Sequence, residues 1–315
     1  MTADRDQDLN LFFTTRSNSF ATPDEQWLAF ARTEAKKLAA VITDLGDGLS
    51  LLDTLLLVAR ERKAFATAQS HIATTGENDF GDLRSGVYDR SLRESASHHS
   101  RIGELRKKLT AGDVHLESQM STAFTLFKKD GDFFLPVVRN LERASRTGDQ
   151  VGYLPELDAS ADALVNTVVG QRLTIEPAHF FEVAKYESVF FKGESGESLT
   201  SFYMVRNAEP QFVLIEHPTP PVAAAAVKGS LNTRYGDLLG ARNDEVFLGG
   251  LSRLMWGLFQ AMPFERGSAS ITTIFTAGLL LSRSMLPRAF NGTRLDIDAI
   301  SLSPGLFEEA FLESY

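Results

Sequence analysis

Residues 245–262 read EVFLGGLSRLMWGLFQAM, and residues 263–290 continue PFERGSAS and ITTIFTAGLLLSRSMLPRAF. In the first stretch Val246, Phe247, Leu248, Leu251, Leu254, Met255, Trp256, Leu258, Phe259 and Met262 leave hardly any polar face. A helix that is apolar all round must be buried on every side, so this stretch predicts the central helix of a domain. Pro263 ends it by denying the next turn a donor. Ser268 or Ser270 can cap a second helix, with Ile271, Ile274, Phe275, Gly278, Leu281 and Met285 along one face. Leu279 and Leu280 widen that face. The expectation is a buried helical hairpin closed by a short polar turn.

Working outward toward the amino end, the chain reads as helical. Thr22-Pro23-Asp24-Glu25 is a start signal, with proline just inside the helix and acids in its first turn. Trp27, Phe30, Ala31, Ala35, Leu38 and Val41 follow at helical spacing, Gly46-Asp47-Gly48 breaks the run, and Ser50 can cap a helix carrying Leu51, Leu55, Leu56 and Ala59. His71–Arg84 reads as a polar, glycine-bearing loop. Further helices fit Arg84–Lys108, Leu116–Lys128, Leu135–Ser145 and Asp158–Gln171. Residues 1–21 read as a flexible tail, and the Thr-, Ser- and Asn-rich stretch from Asn10 to Asp24 resembles the unstructured export signals of injected bacterial effectors.

The pattern changes near Tyr186. Ser188–Lys192, Thr200–Val205 and Gln211–Glu216 are rich in Val, Phe, Tyr and Ile and are joined by turn residues, which predicts a small antiparallel β-meander. Pro218, Pro220 and Pro221 stop it. The expected fold is therefore mainly α with a small antiparallel β-meander, an α+β arrangement. It divides into a tail over 1–21, a helical region over 22–175, and a meander plus buried hairpin over 176–315. No long linker separates the last two, so they can also form one continuous domain.

The 315 residues carry 32 basic and 41 acidic side chains, a net charge of −9, which disfavours general nucleic-acid binding. The absence of cysteine removes disulfide scaffolds, thiol nucleophiles and Cys-ligated metals. The longest charge-free apolar run, Gly267–Ser282, falls short of the roughly 20 residues of a membrane span. With no basic n-region ahead of an apolar run, the expectation is folding in the cytoplasm of the producing cell, with export into a host cell as a second destination. Of the six histidines, His98 with Glu94 and His179 with Glu182 share a helical face and could each ligate a metal, but neither pair has a third ligand, and no metal site is expected. Asp296-Ile297-Asp298 looks like the Asp-x-Asp of some glycosyltransferases, and equally like acids entering a helix.

The hairpin turn is the one stretch whose chemistry stands out. Between Val246 and Phe290 four arginines, Arg253, Arg266, Arg283 and Arg288, face a single acid, Glu265. The start of the second helix offers unpaired N–H groups and a positive pole, and the small residues around it let a ligand come close. Arg266, Gly267, Ser268, Ala269 and Ser270 are the candidate ligand-binding residues. The same residues also read as proline stop, glycine bend and serine cap, and that alternative stays open.

The run Met262-Pro263-Phe264-Glu265-Arg266-Gly267-Ser268-Ala269-Ser270 between two helices resembles the Fic family, whose loop reads His-Pro-Phe-x-Asp/Glu-Gly-Asn-Gly-Arg. Pro263, Phe264 and Gly267 match that core. Phe202–Glu216 would correspond to the family's β-hairpin flap, Pro218–Pro221 to its connection, and Leu279–Pro287 to its leucine-rich helix and proline turn. The departures are at the chemistry. Met262 stands where the family has its general base, Arg266 at the acidic position, Ala269 at the second glycine and Ser270 at the phosphate-binding arginine. The resemblance therefore implies a degenerate Fic-type phosphate or nucleotide pocket in an effector- or toxin-like virulence protein, and it carries over no catalytic residue. AMP transfer by the family mechanism is not expected, because methionine accepts no proton. If the chain is an enzyme, it is a nucleotide-using transferase acting on a host protein.

The competing expectation is a non-catalytic interaction module. Arg84–Lys108 holds Arg84, Arg90, Arg93, Arg101, Arg106, Lys107 and Lys108 against Asp89, Glu94 and Glu104, a basic helix suited to an acidic partner.

Overall fold

The computed structural model describes residues 8–13, 25–68, 80–84, 124–128, 134–147, 151–154, 186–193, 196, 198–205, 212–265, 267–290 and 294–315. The expected helix Asp158–Gln171 and the stretch following Arg84 up to Lys108 lie outside them. The chain forms two compact units, one from residues 1–84 together with 223–315, the other from residues 85–222.

The first unit is helical. It contains α1 (Glu25–Leu45), α2 (Leu51–Ala68), α5 (Ser230–Leu239), α6 (Asp244–Ala261), α7 (Ser268–Ser282), α8 (Leu295–Ser301) and α9 (Pro304–Leu312). A further helix, α4 (Pro220–Lys228), spans the division between the units. Helix α7 is the centre. Every residue from Ser270 to Leu280 is buried, and the helix packs on α1, α2 and α6. Helices from both the 22–175 and the 176–315 regions therefore share one core.

Helix α1 buries Trp27, Ala31, Ala35, Leu38 and Ile42 at helical spacing. It gives way to a 3₁₀ turn, Gly46–Gly48, where Gly46 takes a φ of +50°. Ser50 caps α2: its hydroxyl accepts from the Asp53 N–H at 3.1 Å and donates to the Asp53 carboxylate at 2.6 Å. Residues 8–13 are helical and bury Leu9, Phe12 and Phe13, with Arg32 donating to Asn10 at 2.7 Å. The flexible tail expected over 1–21 is thus corrected for this stretch, because three large apolar side chains on one helical face gain more from burial than from solvent.

Helix α6 is capped by Asn243, whose Oδ1 accepts from the Val246 N–H at 2.9 Å. From Phe247 to Ala261 it is buried on nearly every side, although Val246 and Arg253 are exposed. Its polar residues serve α8. The Gln260 amide donates to the carbonyls of Ala299 and Ile300 at 3.0 and 3.1 Å, and the Trp256 indole donates to that of Leu302 at 2.9 Å. Those side chains supply donors to carbonyls at the end of a helix whose every residue is buried.

The second unit holds five strands, β1 (Phe124–Lys128), β2 (Val151–Leu154), β3 (Tyr186–Lys192), β4 (Ser198–Val205) and β5 (Phe212–Glu216), and helix α3 (Phe134–Thr147). The strands pair antiparallel in the order β1-β5-β4-β3-β2. Phe191 and Phe202 are buried edge to face at 5.8 Å between centroids. The β3–β4 turn closes through the Gly196 N–H, which donates to the Gly193 carbonyl at 2.9 Å with Gly196 at a φ of +81°. Phe124–Lys128, expected within a helix over Leu116–Lys128, is a strand, since its five residues meet Phe212–Glu216 in register. Tertiary pairing overrides local propensity there.

Candidate functional site

The α6–α7 turn is built by two backbone reversals. Met262 takes a left-handed conformation, φ 44° and ψ 61°, while its N–H still bonds Leu258 O at 3.1 Å. Pro263 then lacks the donor needed to continue. Gly267 takes φ 82° and caps α7 without a side chain. A methyl group at Gly267 would lie 3.1 Å from Phe80 Cδ1 and 3.3 Å from Ser270 Oγ, so both conformation and space select glycine.

The two serines expected as helix cap or ligand contacts are engaged inside the turn. Ser268 Oγ accepts from the Phe264 N–H at 2.9 Å and donates to the Phe264 carbonyl at 3.0 Å, in a position 2% exposed. Gly267, and neither serine, is the cap residue, because the left-handed glycine already reverses the chain ahead of Ser268. Ser270 Oγ donates to Gly267 O at 2.9 Å and accepts from Arg62 Nε at 3.3 Å. Ala269 is half-buried, and its carbonyl accepts from the Thr273 hydroxyl at 2.8 Å. Arg266 lies outside the described residues. Gly267, Ser268, Ala269 and Ser270 are brought together on one turn.

Residues the sequence reading left in a loop or on a helix face complete the corner. The segment 80–84 lies along the turn as an antiparallel partner. Leu83 bridges Phe264, the Arg84 N–H donates to Pro263 O at 3.0 Å, and the Glu265 N–H donates to Asp82 O at 2.7 Å. Gly81, at φ +76°, sits so close to α2 that a methyl group there would lie 2.3 Å from Ala59 O. Lys63 holds the Asp82 carboxylate at 2.7 Å.

Arg62 lies at the positive pole of α7, and Arg84 at the C-terminal end of α6. The Arg62 guanidinium lies 4.0 Å from the Phe80 ring centroid, 5.2 Å from Trp27 and 5.8 Å from Phe65, a cation among aromatic faces. Arg84 Nη1 points to the Met262 carbonyl at 3.4 Å. Burial pulls the Arg84 guanidinium down to about 10, opposed by the negative charge of Glu265, and it remains a cation at neutral pH. Glu265 is itself buried. Helix N-termini favour negative charge, and the Arg62 cation adds to that attraction. Of the basic stretch Arg84–Lys108 only Arg84 is described, and it belongs to this corner rather than to an exposed docking face.

The Asp-x-Asp reading is corrected. Arg294 Nε donates to Asp296 Oδ1 at 2.7 Å and its Nη2 to the other carboxylate oxygen, with both side chains largely buried. An aspartate held at both oxygens by a guanidinium does not offer them to a metal. Among the described residues no group of three or more His, Asp or Glu side chains is placed to hold a metal ion. No described helix is long and apolar enough to cross a membrane. Nothing in the sequence marks Arg62, Phe80, Gly81, Asp82 or Arg84 as one site, since the bridge joins residues about 180 positions apart.

No family model matches the chain. No curated protein matches it significantly.

Proposed function

We propose that this chain is an effector- or toxin-like protein whose α6–α7 corner receives a phosphate-bearing ligand, a nucleotide foremost, and that it acts on or holds a protein of a host cell. The observation that carries the reading is Arg62 at the first turn of α7, where its Nε donates to Ser270 Oγ at 3.3 Å and its stem lies beside Gly267. Arg62 approaches a helix pole that is already positive, and the two together favour a negatively charged ligand. The resemblance to the Fic loop supports the same reading, with Arg266 as the side chain that pairs the phosphate. Ser268 belongs to the frame of the turn rather than to the ligand, because its hydroxyl is spent on Phe264.

No proton acceptor stands at Met262, so the chemistry of the family loop does not run here. The ligand is held, and any group transfer uses residues other than position 262.

The test is thermal unfolding with ATP, ADP, NAD and sugar nucleotides. Ligand at 100 times its dissociation constant adds about 2.7 kcal/mol of stability. Arg62→Ala and Arg266→Ala are expected to abolish the rise in melting temperature. An unchanged melting curve with every nucleotide rules the reading out.

A further inference from the structure

We propose that residues 80–84 are a latch that occupies the α6–α7 corner as an internal stand-in for the anionic ligand and must leave before the ligand binds. This rests on the anion-binding reading of the same corner.

Two contacts carry the mimicry. The carbonyl oxygen of Asp82 accepts from the Glu265 amide at 2.7 Å, the place a phosphate oxygen would take on the turn. The carboxylate of the same residue sits on the Lys63 ammonium at 2.7 Å through both oxygens, which occupies a cation that a phosphate would otherwise use. One residue thus presents both a neutral and a charged acceptor to the two donors that flank the turn. Phe80 lies against Gly267 and over the Arg62 guanidinium, at the start of α7.

The attachment is suited to release. Among the described residues the latch meets the turn at the bridge Leu83–Phe264, through two backbone hydrogen bonds and the longer 3.4 Å bond from Arg84 Nη1 to the Met262 carbonyl. Its ion pair is close to half exposed on both partners, a setting in which such pairs hold weakly. Leu83 itself is exposed and anchors little. Gly81 lets the latch lie flat on the Ala59 carbonyl, so one methyl group suffices to lift it.

Leu83 and Phe264 form a non-hydrogen-bonded antiparallel pair, the arrangement that brings opposed Cβ atoms closest and admits a disulfide. The chain has no cysteine, so Leu83→Cys with Phe264→Cys gives one defined lock. The oxidised and reduced forms share the same substitutions, and each controls the other. Asp82→Ala and Gly81→Ala open the latch without touching Phe264, should that double variant fold poorly. Calorimetric titration of the full chain with ADP and with inorganic pyrophosphate is the measurement, alongside amide exchange at Arg84 and Glu265.

The oxidised lock is expected to weaken binding at least tenfold relative to its reduced form, and the two opening variants to strengthen it about tenfold over the native chain. The Arg84 and Glu265 amides are expected to exchange well before those of the α7 core. Equal affinity in locked, native and opened forms overturns the latch and leaves the anion site standing. Binding in none of them, opened forms included, overturns both. Exchange at Arg84 and Glu265 only together with the α7 core shows a fixed part of the fold and overturns the latch.

Discussion

Gly278 of α7 lies against Leu38 of α1 so closely that a methyl group on the glycine would stand 2.7 Å from Leu38 Cδ2 and 3.1 Å from its Cβ. The two helices meet at a point where only hydrogen fits, and Leu38 is itself buried. Gly278→Ala is expected to destabilise the protein by about 1–3 kcal/mol, the usual cost of overpacking. Leu38→Ala alone leaves a cavity and costs about 2–5 kcal/mol. The double variant should cost less than the sum of the two, because each change makes room for the other. Urea denaturation of the three variants measures this; strict additivity would mean the helices do not touch there.

Ser284 carries a φ of +60° just after α7, and the carbonyls near the helix end are closed by Ser284 N–H to Leu281 O at 2.9 Å and Met285 N–H to Leu280 O at 2.9 Å. This is the pair of bonds that usually surrounds a glycine. Ser284→Gly removes the left-handed strain and should stabilise the protein by roughly 0.5–1 kcal/mol, while Ser284→Val should do the opposite. A thermal melt of both variants decides the sign.

Gln260 bridges α6 to two carbonyls of the buried helix α8. Gln260→Leu keeps the volume and strands those acceptors, at a cost of about 1–3 kcal/mol. Gln260→Glu is expected to be worse, since it replaces the donor with a buried charge. A milder effect for the glutamate than for the leucine in chemical denaturation would contradict the assigned bonds.

Arg84 bears on the pH profile. Its pKa in the folded chain is lowered to about 10, chiefly by burial. A cation depressed on folding costs stability while it is charged in both states, and the cost lifts only as pH climbs above about 10 toward the ordinary arginine range. Arg84 should therefore add no slope to stability between pH 6 and 9. Glu265→Gln removes the charge that offsets burial, and amide exchange at Arg84 should quicken at neutral pH. An unaltered exchange rate would show that Glu265 does not support the segment.

The central hairpin was legible in the sequence because Phe247–Met262 and Ile271–Leu281 are too apolar to lie anywhere but in a core. The cap was not, since two serines near a helix start look like caps until Gly267 takes its left-handed conformation. The strand Phe124–Lys128 was illegible because five residues with two phenylalanines fit a helix as well as a sheet, and only the pairing with β5 decides between them. The corner was legible in half. Gly267–Ser270 stand together in the chain, whereas Arg62, Asp82 and Arg84 reach it only through the fold. Leu9, Phe12 and Phe13 had the spacing of a helical face, and the polar residues around them hid it.

The helical unit draws its residues from both sides of the 85–222 segment. A ribosome working at roughly 5–20 residues per second releases α1 and α2 many seconds before α7 exists to receive them. During that interval Leu38, Leu55 and Val58 lack the helix that completes their core, and a nascent chain halted before residue 223 should present them to chaperones. Synthesis order thus gives this unit a waiting period that a contiguous helical bundle of the same size would not have.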